Sequence, residues 1–148
     1  MMRPTLLAVV GLVASVVAHP SRVLAEDLDA SRPLRCALAE AAQCDRTARC
    51  GAATIEEIDL PGAVRIDFAA KQLASEDGQR TSPIAAVEVR DAALVVQGHQ
   101  NGRGWLAVIE RATGHLTATV ADVEGSFVLS GGCAPELGES DPRPGETP

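Results

Sequence analysis

Residues 93–120 read ALVVQGHQNGRGWLAVIERATGHLTATV, and this stretch decides the fold. The stretch 93–97, apolar up to its closing Gln97, and the apolar run 105–109 flank Gln100-Asn101-Gly102-Arg103-Gly104. Asn-Gly tolerates the positive φ angles of a tight turn, so the two runs read as the arms of a hairpin. Ala112-Thr113-Gly114 turns the chain again, and Leu116-Thr117-Ala118-Thr119-Val120 then alternates apolar and polar residues with the period of a half-buried strand. Upstream, Val64-Arg65-Ile66-Asp67-Phe68 shows the same alternation, Ser75-Glu76-Asp77-Gly78-Gln79 supplies a turn, and residues 84–89, apolar but for Glu88, lead up to Arg90-Asp91. Downstream, Glu124-Gly125 precedes Phe127-Val128-Leu129, and Cys133 closes the series. Strands every 8–12 residues with no long helical pattern between them predict an all-β fold. The expected form is a small antiparallel meander, barrel or sandwich, of six to eight strands over residues 34–133.

Residues 34–43 are locally ambiguous. Ser31 as an N-cap, with Leu34, Leu38 and Ala41 on one face, favours a helix on propensity. Strand alternation instead places Cys36, Leu38 and Glu40 on one side.

The chain opens on a leader pattern. Arg3 gives a positive start, residues 6–18 form a thirteen-residue apolar run, and Val23-Leu24-Ala25 ends in the small residue a signal peptidase needs. A bilayer-spanning helix takes about 20 apolar residues, so this run reads as a signal peptide over residues 1–25 rather than an anchor. Residues 26–33 read as a flexible lead-in, 34–133 as the β domain, and 134–148, rich in Pro, Gly, Glu and Asp, as a disordered acidic tail. The expected location is periplasmic or secreted.

Arg3 and Arg22 fall in the leader, leaving 11 basic against 20 acidic side chains and a formal charge of −9. Lys71 is the one lysine, and the basic residues form no run. Nucleic-acid binding, which needs clustered Lys and Arg, is therefore not expected. Membrane insertion after the leader is cut is not expected either, and no lipid anchor is, since no Cys follows Ala25 directly to carry a lipid. Oligomeric state is not fixed by any of these features.

Cys36, Cys44, Cys50 and Cys133 all lie beyond the leader, and an even number in an oxidising compartment reads as two disulfides. The spacings are not the close pairs of structural zinc sites. Of the three possible pairings, 44–50 with 36–133 is preferred. Cys44 and Cys50 enclose the polar Asp45-Arg46-Thr47-Ala48-Arg49, which suits a hairpin tip, and Cys36 and Cys133 sit near the two ends of the folded region.

No catalytic, metal or cofactor site is expected. His99 and His115 fall at opposite ends of the strand after the Asn-Gly turn, and six residues at about 3.4 Å each put them roughly 20 Å apart. Neither lies near a nucleophile motif. Glu56-Glu57 and Glu76-Asp77 are sequence neighbours, which point to opposite faces of a strand or into solvent and do not make a paired acid and base. The most polar glycine-rich loop is residues 97–104, and such loops carry recognition more often than strands do. His99, Gln100, Asn101, Arg103 and Trp105 are thus the candidate partner-contact residues. Trp105, Ala107 and Ile109 form one face of their strand, while Leu106 and Val108 make the other face apolar too, which predicts cover on both sides, by another part of the chain or by a partner.

Trp105-x3-Ile109-Glu110-Arg111-Ala112-Thr113-Gly114, with Gly131-Gly132-Cys133 at the end and Cys36-x7-Cys44-x5-Cys50 followed by Ile58-Asp59-Leu60-Pro61 at the start, resembles small exported, disulfide-containing bacterial β proteins of uncharacterised function. In that group an Ile-Asp-Arg-x-Thr-Gly turn precedes the final strands; this chain has Glu110 at the Asp position. The resemblance implies that residues 34–42 form a first strand with Cys36 beside the last one, so that a 36–133 bridge pins the two together. It implies no activity.

By exclusion, the expected function is a non-catalytic exported module recognising another protein, as a hydrolase inhibitor or an envelope accessory factor does. The alternative is a carrier with a barrel-interior pocket for a small apolar ligand. Many alanines and few aromatics would give either a tight core or an unlined hole.

Overall fold

A computed structural model describes residues 27–137. The leader expected at residues 1–25 lies outside the described residues, as does all of the expected tail beyond Leu137. Among the described residues nine strands follow one another: β1 (Leu34–Asp45), β2 (Cys50–Ala53), β3 (Ala63–Asp67), β4 (Gln72–Ser75), β5 (Thr81–Val89), β6 (Ala93–Gln100), β7 (Arg103–Glu110), β8 (His115–Ala121) and β9 (Gly125–Pro135). All pairings are antiparallel, and β1 bonds to β9 as well as to β3, so eight strands close a barrel. β2 is the extra strand, paired only to β1. The fold is thus an all-β, disulfide-stapled meander barrel.

Residues 34–45 are strand along their whole length, and tertiary pairing overrides the helix propensity of their alanines. The lower half of β1 pairs with β3 (Cys36 opposite Val64), the upper half with β2 (Cys44 opposite Cys50). A bulge between Leu38 and Glu40 shifts the register against β9 and re-aims the strand at the changeover.

Both disulfides join residues directly opposite each other on antiparallel strands: Cys36–Cys133 across the β1–β9 seam, and Cys44–Cys50 across the β1–β2 hairpin. These are the preferred pairings, and they fit a chain that lives in an oxidising, non-cytoplasmic compartment. The hairpin tip is organised by Asp45, whose Oδ1 accepts from the Thr47 amide (2.8 Å), the Thr47 hydroxyl (2.6 Å) and the Arg49 amide (3.1 Å).

The two ends of the barrel differ. At the end where β1 begins, Leu34, Cys36, Ile66, Ile84, Leu94, Val96, Ile109 and Leu116 fill the interior, and Leu28 closes it from below. Leu28 belongs to the stretch read as a lead-in, yet it is only 6% exposed. Its amide donates to the Arg111 carbonyl (2.9 Å), and Arg111 Nε donates back to the Leu28 carbonyl (2.6 Å). Arg111 Nη1 also reaches the carbonyls of Arg90 (3.1 Å) and Asp91 (3.2 Å), so one guanidinium ties three segments across this end.

The Glu110-Arg111-Ala112-Thr113-Gly114 turn is therefore a structural device. Thr113 donates to the Glu110 carboxylate (2.5 Å), and Gly114, at φ 75°, lies so close to the last strand that a Cβ would sit 2.1 Å from the Cys133 carbonyl. Beyond Cys133, β9 runs on to Pro135, and Glu136 accepts from Arg65 Nε at 2.7 Å.

Val108, on the outward side of β7, is 38% exposed. The described chain therefore does not itself fully cover that side: a closed barrel has one interior, and it is filled from the Trp105, Ala107 and Ile109 face.

Candidate functional site: a half-filled barrel

Eight strands enclose an interior just wide enough to be filled by side chains or to hold one small ligand. Here both occur, at different heights. The lower half is filled by Leu and Ile, whereas the upper half is walled largely by smaller groups: Ala107, Ala118, Ser75, Ser82, Val64 and Val120. Leu38, Leu73 and Leu129 complete the wall, and Ile66 and Leu116 form the floor. The result is a cavity of about 670 Å3, open at the end where β7 begins. That volume falls within the range of ordinary small-molecule sites.

Trp105 forms one side of this cup. Its partner across β6 is Gly98, which is buried, and the indole lies flat on that glycine. A Cβ at position 98 would stand 2.5 Å from Trp105 Cζ2 and 2.3 Å from the Pro83 carbonyl. The ring crosses β6 at this gap, and its Nε1 donates to Ser82 Oγ on β5 at 2.8 Å.

The rim is polar. Residues 54–62 cross it as a compact loop. Thr54 and Glu57 bond reciprocally there: the Thr54 amide donates to Glu57 Oε2 (2.8 Å), and the Glu57 amide donates to Thr54 Oγ1 (3.2 Å). Ile58 anchors the loop at 5% exposure, and Leu60 and Pro61 face the cup. Arg80, in the β4–β5 turn, clasps this loop by donating to the Asp59 carbonyl (2.6 Å) and carboxylate (2.8 Å). The Arg80 hydrogen bond and charge hold the Asp59 carboxyl below the usual range, with a smaller contribution from Arg103 across the mouth. Arg103 Nε donates to Asp122 Oδ2 at 3.2 Å; the Asp122 carboxyl is lowered first by the Glu124 amide and then by Arg103. Within the wall, the buried Ser75 hydroxyl is already engaged, donating to Asp77 Oδ1 (2.5 Å) and accepting from the Arg80 amide (3.0 Å).

Of the residues singled out in the sequence, Gln100, Asn101, Arg103 and Trp105 converge on this cup. Asn101 and Gly102 take positive φ values of 51° and 79° in the hairpin turn above it. His99 is exposed on the outward side, opposite Gly104. His115 lies at the far end of β8, beyond the Leu116–Ile109 pair, and is also exposed. Among the described residues no group of three or more His, Cys, Asp or Glu side chains could hold a metal ion. Sequence reading passed over Asp59, Arg80 and Ser82; Asp59 and Arg80 are 21 residues apart, and no local pattern links them.

No protein-family model, curated protein or solved structure matches this chain.

Proposed function

We propose that this protein is an exported, non-catalytic binding protein that carries one small apolar molecule in the upper half of its barrel. The observation that supports this most directly is the unfilled apolar cup of about 670 Å3 above a solid core. Export to the periplasm or the medium is supported by the leader pattern at residues 1–25 together with the two disulfides. Recognition of a protein partner through the residue 98–104 loop was the first expectation from sequence. The geometry favours the small ligand over it, because Gln100, Asn101, Arg103 and Trp105 all line the cavity.

Trp105 is the one tryptophan, so its emission reports on the cup directly. Titration with a neutral apolar dye such as N-phenyl-1-naphthylamine is expected to quench Trp105 and enhance the dye. Filling the cup with Ala118→Phe is expected to abolish both changes. A wild-type protein that takes up no dye, or an Ala118→Phe variant that takes up as much, overturns the reading. Native mass spectrometry of protein purified from its own host provides the second check, with a mass above that of the bare polypeptide expected.

A further inference from the structure

We infer that the ligand is an anionic single-chain amphiphile, a medium-length aliphatic carboxylate held tail-down in the cup with its head at Arg103. This rests on the small-ligand reading above and adds the chemistry of the ligand.

The wall dictates the tail. Below the rim no charged side chain faces the cavity, and of its two serine hydroxyls Ser75 is engaged by Asp77 and Arg80, while Ser82 accepts the indole N–H and keeps only its own O–H to offer. A sugar or a peptide would bring several donors and acceptors into a wall that offers little beyond the Ser82 hydroxyl to pair them, and burying unpaired polar groups is costly. An aliphatic chain brings none.

The rim dictates the head. Arg80 and Arg103 both line the mouth, and each is paired with one carboxylate, Arg80 with Asp59 and Arg103 with Asp122. Arg80 spends its amino groups on Asp59, which neutralises that pair. Arg103 is different. It gives only Nε to Asp122, and its two terminal amino groups have no hydrogen-bond partner among the described residues. Its side chain is about half exposed (49%) at the lip, where a head group would rest. A guanidinium with a free pair of N–H groups matches a carboxylate in bidentate geometry.

The depth sets the length. From Arg103 to Ala107 the wall runs four residues along β7, about 14 Å of strand, or ~10 Å along the axis of a barrel whose strands tilt by about 40°. A C–C bond of about 1.5 Å at tetrahedral angles advances an extended alkyl chain by about 1.25 Å, so this depth takes roughly eight bonds, or about nine carbons.

The test uses the full chain, unfolded and refolded to strip any carried molecule, and titrated below micellar concentrations with three twelve-carbon probes: dodecanoate, dodecanol and dodecyltrimethylammonium. Trp105 emission and calorimetry report binding. Dodecanoate is expected to bind about tenfold more tightly than dodecanol, and the cation most weakly. Arg103→Gln is expected to remove the advantage of dodecanoate while leaving dodecanol unchanged. Asp122→Asn, which frees Arg103 without removing it, is expected to keep that advantage. If dodecanol binds as well as dodecanoate, or if Arg103→Gln leaves their ratio intact, the head-group assignment is overturned and the cup remains a ligand site. If none of the three probes binds, the small-ligand reading falls and takes this inference with it.

Discussion

Gly98→Ala puts the construction of the cup to its sharpest test. The new Cβ would stand 2.3 Å from the Pro83 carbonyl oxygen and 2.5 and 2.7 Å from two carbons of the Trp105 indole. An ordinary carbon–oxygen contact is about 3.3–3.6 Å, so backbone and ring must each retreat by roughly 1 Å. Neither can do so alone, because Pro83 lies in the β4–β5 ladder and the indole is held by Ser82. Overpacking of this kind costs about 1–3 kcal/mol. Loss of the Trp105–Ser82 hydrogen bond adds about 1 kcal/mol. For a domain of this size each kcal/mol shifts the melting temperature by about 4 °C, so a fall of roughly 8–16 °C is expected. Thermal unfolding followed by circular dichroism measures the fall, and the Trp105 emission maximum should move to the red at 25 °C. Repeating Gly98→Ala in a Trp105→Leu background isolates the ring. There the substitution should cost less, leaving only the clash with Pro83. A Gly98→Ala protein that melts within about 2 °C of wild type with an unshifted emission maximum refutes the account.

Three more expectations follow from the closure of the barrel and its charges. Replacing Cys36 and Cys133 by Ala should cost more than replacing Cys44 and Cys50, about 4–5 against about 2 kcal/mol in urea titrations, because the bridges span 97 and 6 residues. Equal losses would contradict the chain-entropy origin. Arg111→Ala should cost about 2 kcal/mol and raise the hydrogen-exchange rate of the Leu28 amide, since Leu28, Arg90 and Asp91 lose their shared donor; a stable variant with Leu28 still protected would show that other contacts hold this end. Asp29, Asp45, Glu57, Asp59, Asp67, Asp77 and Asp122 are all held below their ordinary values, in each case chiefly by a hydrogen bond. Their contribution is therefore fully present above the unfolded value near pH 4 and lost as pH falls through the folded values. The melting temperature should hold level from pH 8 to about 5 and drop below pH 4, and a level profile down to pH 2.5 would exclude this linkage.

The strands with turn residues between them were legible because the signals are local. Asn101-Gly102, Asp77-Gly78 and Thr113-Gly114 all stand at hairpin turns. The β3–β4 turn was not legible. It is made by Phe68-Ala69-Ala70-Lys71, with no Gly, Pro or Asn, and Lys71 itself adopts a φ of 52°. What holds it is the Asp67 side chain, accepting from the Ala70 amide at 2.8 Å, and the Lys71 carbonyl, accepting from the Ile84 amide on β5 at 2.9 Å. β2 escaped for a different reason: Cys50-Gly51-Ala52-Ala53 has no alternation to read, and it forms only because Cys44 and the upper half of β1 lie opposite. The cup was beyond any local window. It depends on small residues from separate strands, such as Ser75, Ser82, Ala107 and Ala118, meeting at one height, while larger ones such as Leu34, Ile66 and Ile109 meet at another. Composition showed that the alanines were there, and only the closed register showed that they share a level.

The seam between the first and last strands brings residues 33 and 136 together, with the Glu136 amide donating to the Pro33 carbonyl at 2.8 Å and Leu34 lying opposite Pro135. A linker could join the chain from beyond residue 136 back to residue 27, keeping Leu28 at the foot of the barrel and turning the described chain into a ring of strands with no natural origin. New termini could then be cut at the β8–β9 turn, where Val123 is 80% exposed and little backbone would be disturbed. The Cys36–Cys133 bridge would then close a short loop through the linker, and most of its cross-linking effect would pass to the new covalent join. A circularly permuted form would separate what the disulfide does for the ends of the chain from what the β1–β9 ladder does for the shape of the cup.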